Sequence, residues 1–208
     1  MKKILAIVLA AVMLLSMTAC GAAAKKDTYV VGICQLVQHD ALDAATKGFQ
    51  DALTEALGDK VEFEVQNASG DSVNCTTIIN GFVSSKVDLI MANATPALQA
   101  AASATSEIPI LGTSVTDYAF ALEIDGWTGT VGGNISGTSD LADLSKQADM
   151  ITEWFPDAKK VGLLFCSGEP NSRYQIEEVA TCLANKGIET QEFAFTDTNA
   201  VSYTHLRA

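Results

Sequence analysis

Short apolar runs alternate with amphipathic segments in the first half of this chain, and this order leaves few folds open. A strand followed by a helix, repeated three times and followed by a further strand, predicts a parallel sheet, because parallel neighbours need a crossover connection. Helices then cover both faces, so we expect an α/β fold with a doubly wound parallel sheet. The predicted strands span residues 28–34, 61–66, 88–92 and 108–111, and the predicted helices span residues 41–57, 73–85 and 96–104.

The segment from Asp88 to Gln99 shows the strand, turn and helix pattern most clearly. Its apolar run at residues 89–91 is typical of a strand buried on both faces, and Pro96 stands where a helix would begin. A helix N-terminus offers free N–H groups and a partial positive charge, so the turn at residues 93–95 is a candidate ligand site. The alternative is a structural turn capped by Thr95.

Polar side chains follow each predicted strand of this sheet. The carboxyl ends of parallel strands meet at one edge, so these side chains are expected to line a binding crevice there. Each of them could instead be a helix cap or a turn former. The residues are Gln35, Asn67, Thr95 and Thr113.

The pattern changes after residue 117. Residues 118–140 contain five glycines and no sustained helical period, which favours a crossing between domains over another strand and helix unit. Two strands and two helices cannot bury a core alone, so we expect the second domain to be incomplete and the natural protein to be longer. Those elements are a helix at residues 141–155, a strand at 161–166, a helix that ends at Lys186, and a strand at 189–195.

Both ends of the chain carry segments that are not expected to join a core. Residues 1–19 have two lysines before an apolar run too short to span a membrane, which predicts a secretory signal peptide. Cys20 follows Met-Thr-Ala at residues 17–19, a string that resembles a bacterial lipobox, whose cysteine is acylated on sulfur; plain secretion is the alternative. Residues 20–27 would then be a lipid-anchored tether. Residues 202–208 break the preceding pattern and look like a foreign tail, with a natural C-terminus as the alternative.

Charge and cysteine spacing exclude several kinds of partner. The formal net charge of −12 repels nucleic acid and anionic lipid headgroups, so we expect neither as a partner. No cysteine pair has CxxC spacing and the chain has two histidines, so we expect no zinc site, and no cofactor is predicted. Buried free thiols are expected beyond Cys20, while a disulfide of unassigned pairing stays open. These cysteines are Cys34, Cys75, Cys166 and Cys182.

No catalytic constellation is present in the sequence. The string at residues 112–114 is Gly-Thr-Ser and not GxSxG, and neither GxGxxG nor a lysine-containing phosphate loop occurs. We therefore expect a binding protein that is not an enzyme. A surface α/β hydrolase and a ligand-sensing domain of a signalling system are the alternatives.

Seven short segments occur in the order seen in one family, the strings GGNISGTSD and EPNS being the most specific. The chain resembles the ABC transporter substrate-binding lipoproteins that include tryptophan-binding and other aromatic amino-acid-binding members. The match runs from about Thr28 to Asn199, and departures include Tyr118, where proline is common. The segments are residues 32–35, residue 39 with 41–44, and residues 67–71, 94–97, 114–117, 132–140 and 169–172.

This resemblance implies a periplasmic-binding-protein-like fold with two α/β lobes that close on a small ligand, most readily an aromatic amino acid. The N-terminal lobe would span residues 28–120, the hinge or crossing segment residues 121–140, and the partial second lobe residues 141–201. The protein would serve an ABC importer, with a permease and an ATPase as partners. It would be anchored to the outer face of the bacterial cell membrane through a lipidated Cys20.

The expected site combines the polar strand ends of both lobes. Hydroxyls and the N–H groups at residues 95–97 would hold a ligand carboxylate, and Asp117, Asp140 or Glu169 would hold its ammonium group. Asp140 could instead cap the helix predicted at residue 141. The candidate ligand-binding residues are Gln35, Thr95, Thr113, Thr116, Asp117, Ser139, Asp140, Glu169, Asn171 and Ser172.

Overall fold

The computed structural model describes residues 28–196. The predicted signal peptide, Cys20, the tether and the tail at residues 202–208 lie outside these residues. No helix within residues 28–196 is long and apolar enough to cross a bilayer.

The first lobe contains five strands and four helices. The strands are β1 (Tyr29–Gln35), β2 (Val61–Asn67), β3 (Leu89–Asn93), β4 (Ile110–Val115) and β5 (Ile135–Ser139), and the helices are α1 (Asp40–Leu57), α2 (Ser72–Ser85), α3 (Thr95–Ala104) and the single turn α4 (Tyr118–Ala121). All five strands are parallel and lie in the order β2-β1-β3-β4-β5. The prediction of a doubly wound parallel sheet is therefore confirmed.

Helices cover this sheet on both faces. Phe49 and Leu53 of α1 pack against a cluster formed by Val31, Ile33 and Met91. On the other face, α2 and α3 contribute to a larger cluster around the alternate side chains of β1, β3 and β4. The central strand β3 is buried over nearly its whole length, as its unbroken apolar run predicts.

Gly32 sets the distance between α2 and the sheet. A Cβ atom added at Gly32 would lie 2.7 Å from ring carbons of Phe82, closer than two carbon atoms can pack. The missing side chain therefore lets the Phe82 ring lie directly on β1. This contact brings the first turn of α2 close to the C-terminal end of the same strand.

The structure corrects the interpretation of residues 118–140, which contain a short helix and a strand. Strand β5 pairs in parallel with β4, with Ile110 opposite Ile135, so it extends the first-lobe sheet beyond the predicted boundary at residue 120. Its sequence, ISGTS, has one apolar residue at an exposed edge, so alternation gives no strand signal. The chain then passes directly into the second lobe.

The second lobe contains a two-stranded parallel sheet and two helices. They are α5 (Leu144–Trp154), β6 (Lys160–Cys166), α6 (Pro170–Asn185) and β7 (Glu189–Phe195). The helices cover one face around Leu163, Phe165 and Leu183. On the other face, Leu164 is 54% exposed and Phe193 is 37% exposed. The second lobe described here is incomplete, as expected from its two strands.

The N-terminal caps of three helices can be compared with the caps considered from the sequence. Asp71 accepts a hydrogen bond from the N–H of Val73 and so caps the start of α2. Asp140 does not cap the next-lobe helix, because α5 begins three residues later than predicted and Asp143 is its cap. Thr95 is the first residue of α3 and makes no capping bond, so the alternative of a turn capped by Thr95 is wrong.

Candidate ligand-binding cleft

A cavity of about 500 Å³ lies between the two lobes, at the carboxyl ends of their strands. Open α/β sheets bind ligands outside this end of the strands, where loops and helix N-termini converge. The first lobe contributes the loops that follow β1 and β2, and the second lobe contributes β6, the end of β7 and the start of α6. Its main lining residues are Leu36, Val37, Ser69, Gly70, Phe165, Cys166, Glu169, Ser172, Gln175, Ile176 and Phe195.

Backbone hydrogen bonds hold the first-lobe wall. The N–H of Gly70 donates to the carbonyl of Leu36 over 2.8 Å, and the N–H of Leu36 donates to the carbonyl of Asn93 over 3.1 Å. Ser69 and Gly70 both have positive φ, 57° and 82°, and the Asn67 side chain accepts from the N–H of Ser69. These hydrogen bonds therefore join the loops that follow β1 and β2 into one continuous surface.

Glu169 and Ser172 supply polar groups to the second-lobe wall. Glu169 precedes α6, and its carboxylate makes no capping hydrogen bond with that helix. The N–H of Ser172 donates to the carbonyl of Glu169 over 3.0 Å, which closes the first turn. Pro170 occupies the first helical position, where its missing N–H costs nothing. Of the predicted site residues, Glu169 and Ser172 line the cavity, whereas Asn171 is not among its lining residues.

Gln35 has a structural role away from this cavity. Its amide oxygen accepts from the Thr46 hydroxyl over 2.7 Å, and its amide nitrogen donates to the Asp43 carboxylate over 2.6 Å and to the carbonyl of Val37 over 2.9 Å. Asn93 donates to the same hydroxyl over 2.9 Å. These bonds fix α1 to the strand ends, so the structure does not bring Gln35 to the cleft.

Thr95 is buried at the start of α3, with 2% of its surface exposed. Its hydroxyl has no hydrogen-bond partner among residues 28–196. The preceding residue, Ala94, has φ 94°, a conformation that is costly for a residue with a Cβ atom. Thr95 does not line the cavity. Its unpaired hydroxyl, like the buried and unpaired Oδ1 atom of Asn93, points to a ligand or a water molecule.

The remaining candidates lie at the passage between the lobes. The Asp117 carboxylate accepts from the N–H of Phe120 over 2.7 Å and so caps α4. The Ser139 hydroxyl donates to the carbonyl of Thr116 over 2.7 Å and accepts from the N–H of Leu141 over 3.2 Å. Hydrogen bonds thus hold the crossing in place. Thr113 lies in β4, paired with Asn93, and neither it nor Thr116, Asp117, Ser139 or Asp140 lines the cavity.

Tyr118 is buried beside this passage. Burial raises its pKa to about 12, the hydrogen bond that its hydroxyl donates to the carbonyl of Thr138 lowers it, and the nearby charge of Asp140 raises it. The ring packs over Gly112 and Gly137, where added Cβ atoms would collide with the phenol oxygen. The two glycines therefore make room for this side chain.

Helix α6 reaches across to the first lobe. It packs against α3 and α4, and the rings of Phe120 and Tyr174 lie 5.2 Å apart at a tilt of 42°. Burial raises the pKa of Tyr174, and the negative charges of Asp117 and Glu178 add to this effect. The lobes are therefore in direct contact on this side of the cavity.

Sequence reasoning missed the apolar part of the lining. Phe165 and Phe195 belong to the strands β6 and β7, while Leu36 and Val37 directly follow β1. The ligand-binding residues predicted from the sequence are all polar. The available signal was position, because apolar as well as polar residues at the carboxyl ends of parallel strands lie near the crevice. Within residues 28–196, no group of three or more His, Cys, Asp or Glu side chains could hold a metal ion.

Two α/β lobes around a cleft at their strand ends define a solute-binding protein of the periplasmic-binding-protein-like class. Residues 30–207 match the family model described as ABC transporter substrate binding protein, and the chain belongs to this family. This is a family of solute-binding proteins and not of enzymes, in agreement with the absence of a catalytic motif.

Relatives with assigned ligands or solved structures share this architecture. The chain is 37% identical over 175 residues to a tyrosine-binding protein of Clostridioides difficile strain R20291, covering 83% of this chain and 50% of that protein. The chain thus spans half the length of this curated relative.

Two solved structures resemble this chain over most of its length. An ABC domain from Streptococcus pneumoniae in complex with L-Trp has 33% sequence identity and a TM-score of 0.77, over 84% of this chain and 60% of that one. The ligand-free, open structure of a substrate binding protein with adhesive properties from Clostridium difficile has 36% identity and a TM-score of 0.59, with the same coverage.

Proposed function

We propose that this protein is the extracytoplasmic solute-binding component of an ABC importer and that it captures an aromatic amino acid between its lobes. The observation that carries the proposal is the interlobe cavity of about 500 Å³, which combines a carboxylate and hydroxyl groups with aromatic walls. Sites for small molecules are typically concave, largely apolar and about 300–1,000 Å³ in volume. The cavity fits this description.

The lining suits each part of such a ligand. The Glu169 carboxylate is the acid on the cavity wall, and a charge-assisted hydrogen bond to the ligand ammonium group is the strongest polar contact it can make. Ser69 and Ser172 place hydroxyls on opposite walls for the ligand carboxylate. Phe165 and Phe195 offer aromatic surface to the ligand side chain. In this assignment Thr95 and Asp117 stay predictions, with Thr95 the better candidate because its hydroxyl is unpaired within residues 28–196.

The ligands of the relatives support the aromatic class. One related protein is named for tyrosine and a related structure contains L-Trp. Both ligands share an α-amino-acid head and a large aromatic side chain, which need one acid, a few donors and an apolar slot. The cavity lining supplies these three elements.

Hinge closure is the proposed mechanism. At equal coverage and similar identity, the chain has a higher TM-score with the L-Trp complex than with the open, ligand-free relative. This difference supports an arrangement of lobes close to the ligand-bound one, as does the Phe120 and Tyr174 contact across the lobes. A ligand that touches both walls favours the closed state by the difference in its affinity for the two states, and by no more.

The remaining parts of the proposed role are membrane anchoring and delivery of the ligand to a transporter. A lipidated Cys20 would tether the protein to the outer face of the cell membrane through residues 20–27. The closed, loaded protein would dock on a permease driven by an ATPase. No covalent chemistry is needed in the cleft.

A thermal-shift panel tests the class of ligand. The complete gene product is heated with single amino acids, short peptides and sugars, because a ligand that binds only the folded state raises the melting temperature by mass action. The expected result is a rise with L-tyrosine, L-tryptophan or L-phenylalanine and no change with sugars. A rise with sugars or peptides alone would overturn the amino-acid assignment while leaving the binding role intact.

A further inference from the structure

Cys34 and Cys75 lie together in the core of the first lobe. Both are fully buried and belong to the same hydrophobic cluster, Cys34 near the end of β1 and Cys75 in the first turn of α2. Cys75 lies seven residues before Phe82, on the helix face that rests on Gly32, and Cys34 lies two residues after Gly32 on the same face of the strand. A side-chain hydrogen bond between the two thiols shifts the pKa of both. Both are free thiols in the structure, and the proposed transport function uses neither of them.

Their contact follows from the local packing. Gly32 lets the Phe82 ring lie on β1, which draws α2 onto this strand, and Asp71 fixes where the helix begins. The N–H of Cys75 donates to the carbonyl of Asp71 over 3.2 Å, so the first turn of α2 is closed at this residue. The packing of α2 on β1 thus places the two thiols next to each other.

We propose that Cys34 and Cys75 form an intramolecular disulfide when the chain folds in an oxidising compartment, to which its predicted signal peptide would deliver it. The other two described cysteines lie in the second lobe, with Cys166 on β6 and Cys182 on α6. The structure thereby selects one pair among the pairings that the sequence leaves open.

The bond forms by thiol–disulfide exchange with a disulfide oxidant such as oxidised glutathione. The Cys75 thiolate attacks one sulfur of the oxidant and displaces a glutathione thiolate, which leaves a mixed disulfide on Cys75. The Cys34 thiolate then attacks the Cys75 sulfur and displaces the second glutathione. Two cysteine protons end on two glutathione thiols, and the protein is oxidised by two electrons as the oxidant is reduced by two.

Exchange is expected while the chain folds rather than afterwards. Full burial denies a soluble oxidant access to either sulfur in the native state. The hydrogen bond with Cys75 and burial also raise the pKa of the Cys34 thiol, which keeps it protonated near neutral pH. In the unfolded chain both thiols regain ordinary pKa values and access.

The crosslink would brace one wall of the cleft. Leu36 and Val37 follow Cys34 by two and three residues, while Ser69 and Gly70 shortly precede Cys75. These four residues form the first-lobe lining, so a covalent bond between β1 and α2 ties its two loops at their bases. This role is independent of which ligand the cleft binds.

Peptide mapping after oxidative refolding tests the pairing. The complete gene product is reduced, unfolded and refolded in a mixture of reduced and oxidised glutathione, and the folded monomer is alkylated and digested without reduction. We expect a peptide pair joined through Cys34 and Cys75, with Cys166 and Cys182 alkylated. The same pair is expected in protein exported by a host with an oxidising periplasm.

Matched variants and a melting curve complete the test. C166A/C182A should keep the joined peptides, and the melting temperature of the wild type should fall on reduction by about 10 °C, since the bond closes a long loop. C34A/C75A should show no change with reductant. A folded monomer with both Cys34 and Cys75 alkylated, or joined to other cysteines, would overturn the proposal without touching the proposed function.

Discussion

At the scale of single residues, the Glu169 carboxylate lines the cleft without serving as a cap for its own helix. Replacing it by Glu169→Gln keeps its shape and removes its charge. Because hydrogen bonds to charged groups contribute about 1.5–3 kcal/mol, we expect the complete protein to bind its amino acid about 10- to 100-fold more weakly. Isothermal titration measures this change.

A matched substitution on the same helix distinguishes the effect of a charge in the cleft from the effect of the protein's net charge on affinity. Glu178 is exposed on α6 and is not among the residues lining the cavity. Glu178→Gln should leave the affinity unchanged. Equal affinity of Glu169→Gln and the wild type would remove Glu169 from the ammonium site.

We expect the titration of Tyr118 to make the stability of the protein depend on pH in the alkaline range. The folded protein keeps its phenol proton up to about pH 12, whereas an ordinary tyrosine loses it near pH 10. Between these values the unfolded chain binds fewer protons than the folded one, so the free energy of unfolding falls as pH rises, by about 1–3 kcal/mol for this group.

Urea unfolding of the wild type and of Tyr118→Phe at pH 9 and pH 11 measures this fall in the free energy of unfolding. The variant lacks the titrating group, so its loss of stability over this range should be the smaller of the two. At pH 9 it should already be less stable by about 1 kcal/mol, because the hydrogen bond to the carbonyl of Thr138 is gone. Parallel losses in both proteins would contradict the assignment.

The sequence predicted some of the cleft residues and misplaced others for one physical reason. Glu169 directly precedes α6 and Ser172 lies in the first turn of that helix, so both stand beside the carboxyl end of β6, where the cavity lies. Gln35 ends β1, and its side chain points toward α1, where Thr46 and Asp43 pair with its amide. Which face a strand-end side chain takes depends on helix placement, and that is set by tertiary packing.

At the scale of secondary-structure elements, the packing of β4 against β5 depends on Gly137. A Cβ atom there would collide with the Tyr118 phenol oxygen and with the backbone of Gly112. Gly137→Ala should therefore destabilise the protein by about 1–3 kcal/mol, the usual cost of overpacking. Chemical denaturation measures the free energy of unfolding.

We expect substitution of Gly48 to change stability in the opposite direction from substitution of Gly137. It is exposed in the middle of α1, and an added Cβ would meet nothing within 4 Å. Gly48→Ala should stabilise the protein by about 0.5–1 kcal/mol, because alanine is the better helix former. If both variants changed stability in the same direction, the close packing at Gly137 would not be the cause.

Elements with strong periodicity were the predictable part of the fold. The apolar strands β1 and β3 and the helix α2 start and end within one residue or so of their expected bounds. Strand β5 was missed because Ser, Gly and Thr at an exposed edge carry no alternation, and its pairing with β4 is a long-range effect. The start of α5 was misjudged because Asp140 and Asp143 are both good caps.

At the scale of the whole molecule, α6 contacts α3 and α4, and under the proposed hinge closure this contact belongs to the closed arrangement of lobes. If a ligand favours this arrangement, adding it to the complete protein should reduce the radius of gyration in small-angle X-ray scattering. A radius that stays constant at saturating ligand would contradict hinge closure while leaving binding itself intact.

The proposed function requires that an aromatic amino acid binds between the lobes. The most direct measurement is isothermal titration of the complete gene product with L-tyrosine and L-tryptophan, alongside the matching acids that lack the α-ammonium group. We expect one bound amino acid per protein with at least one of the two, and much weaker binding of its deaminated analogue. Absence of heat with every aromatic amino acid at millimolar concentration, in protein shown to be folded, would contradict it.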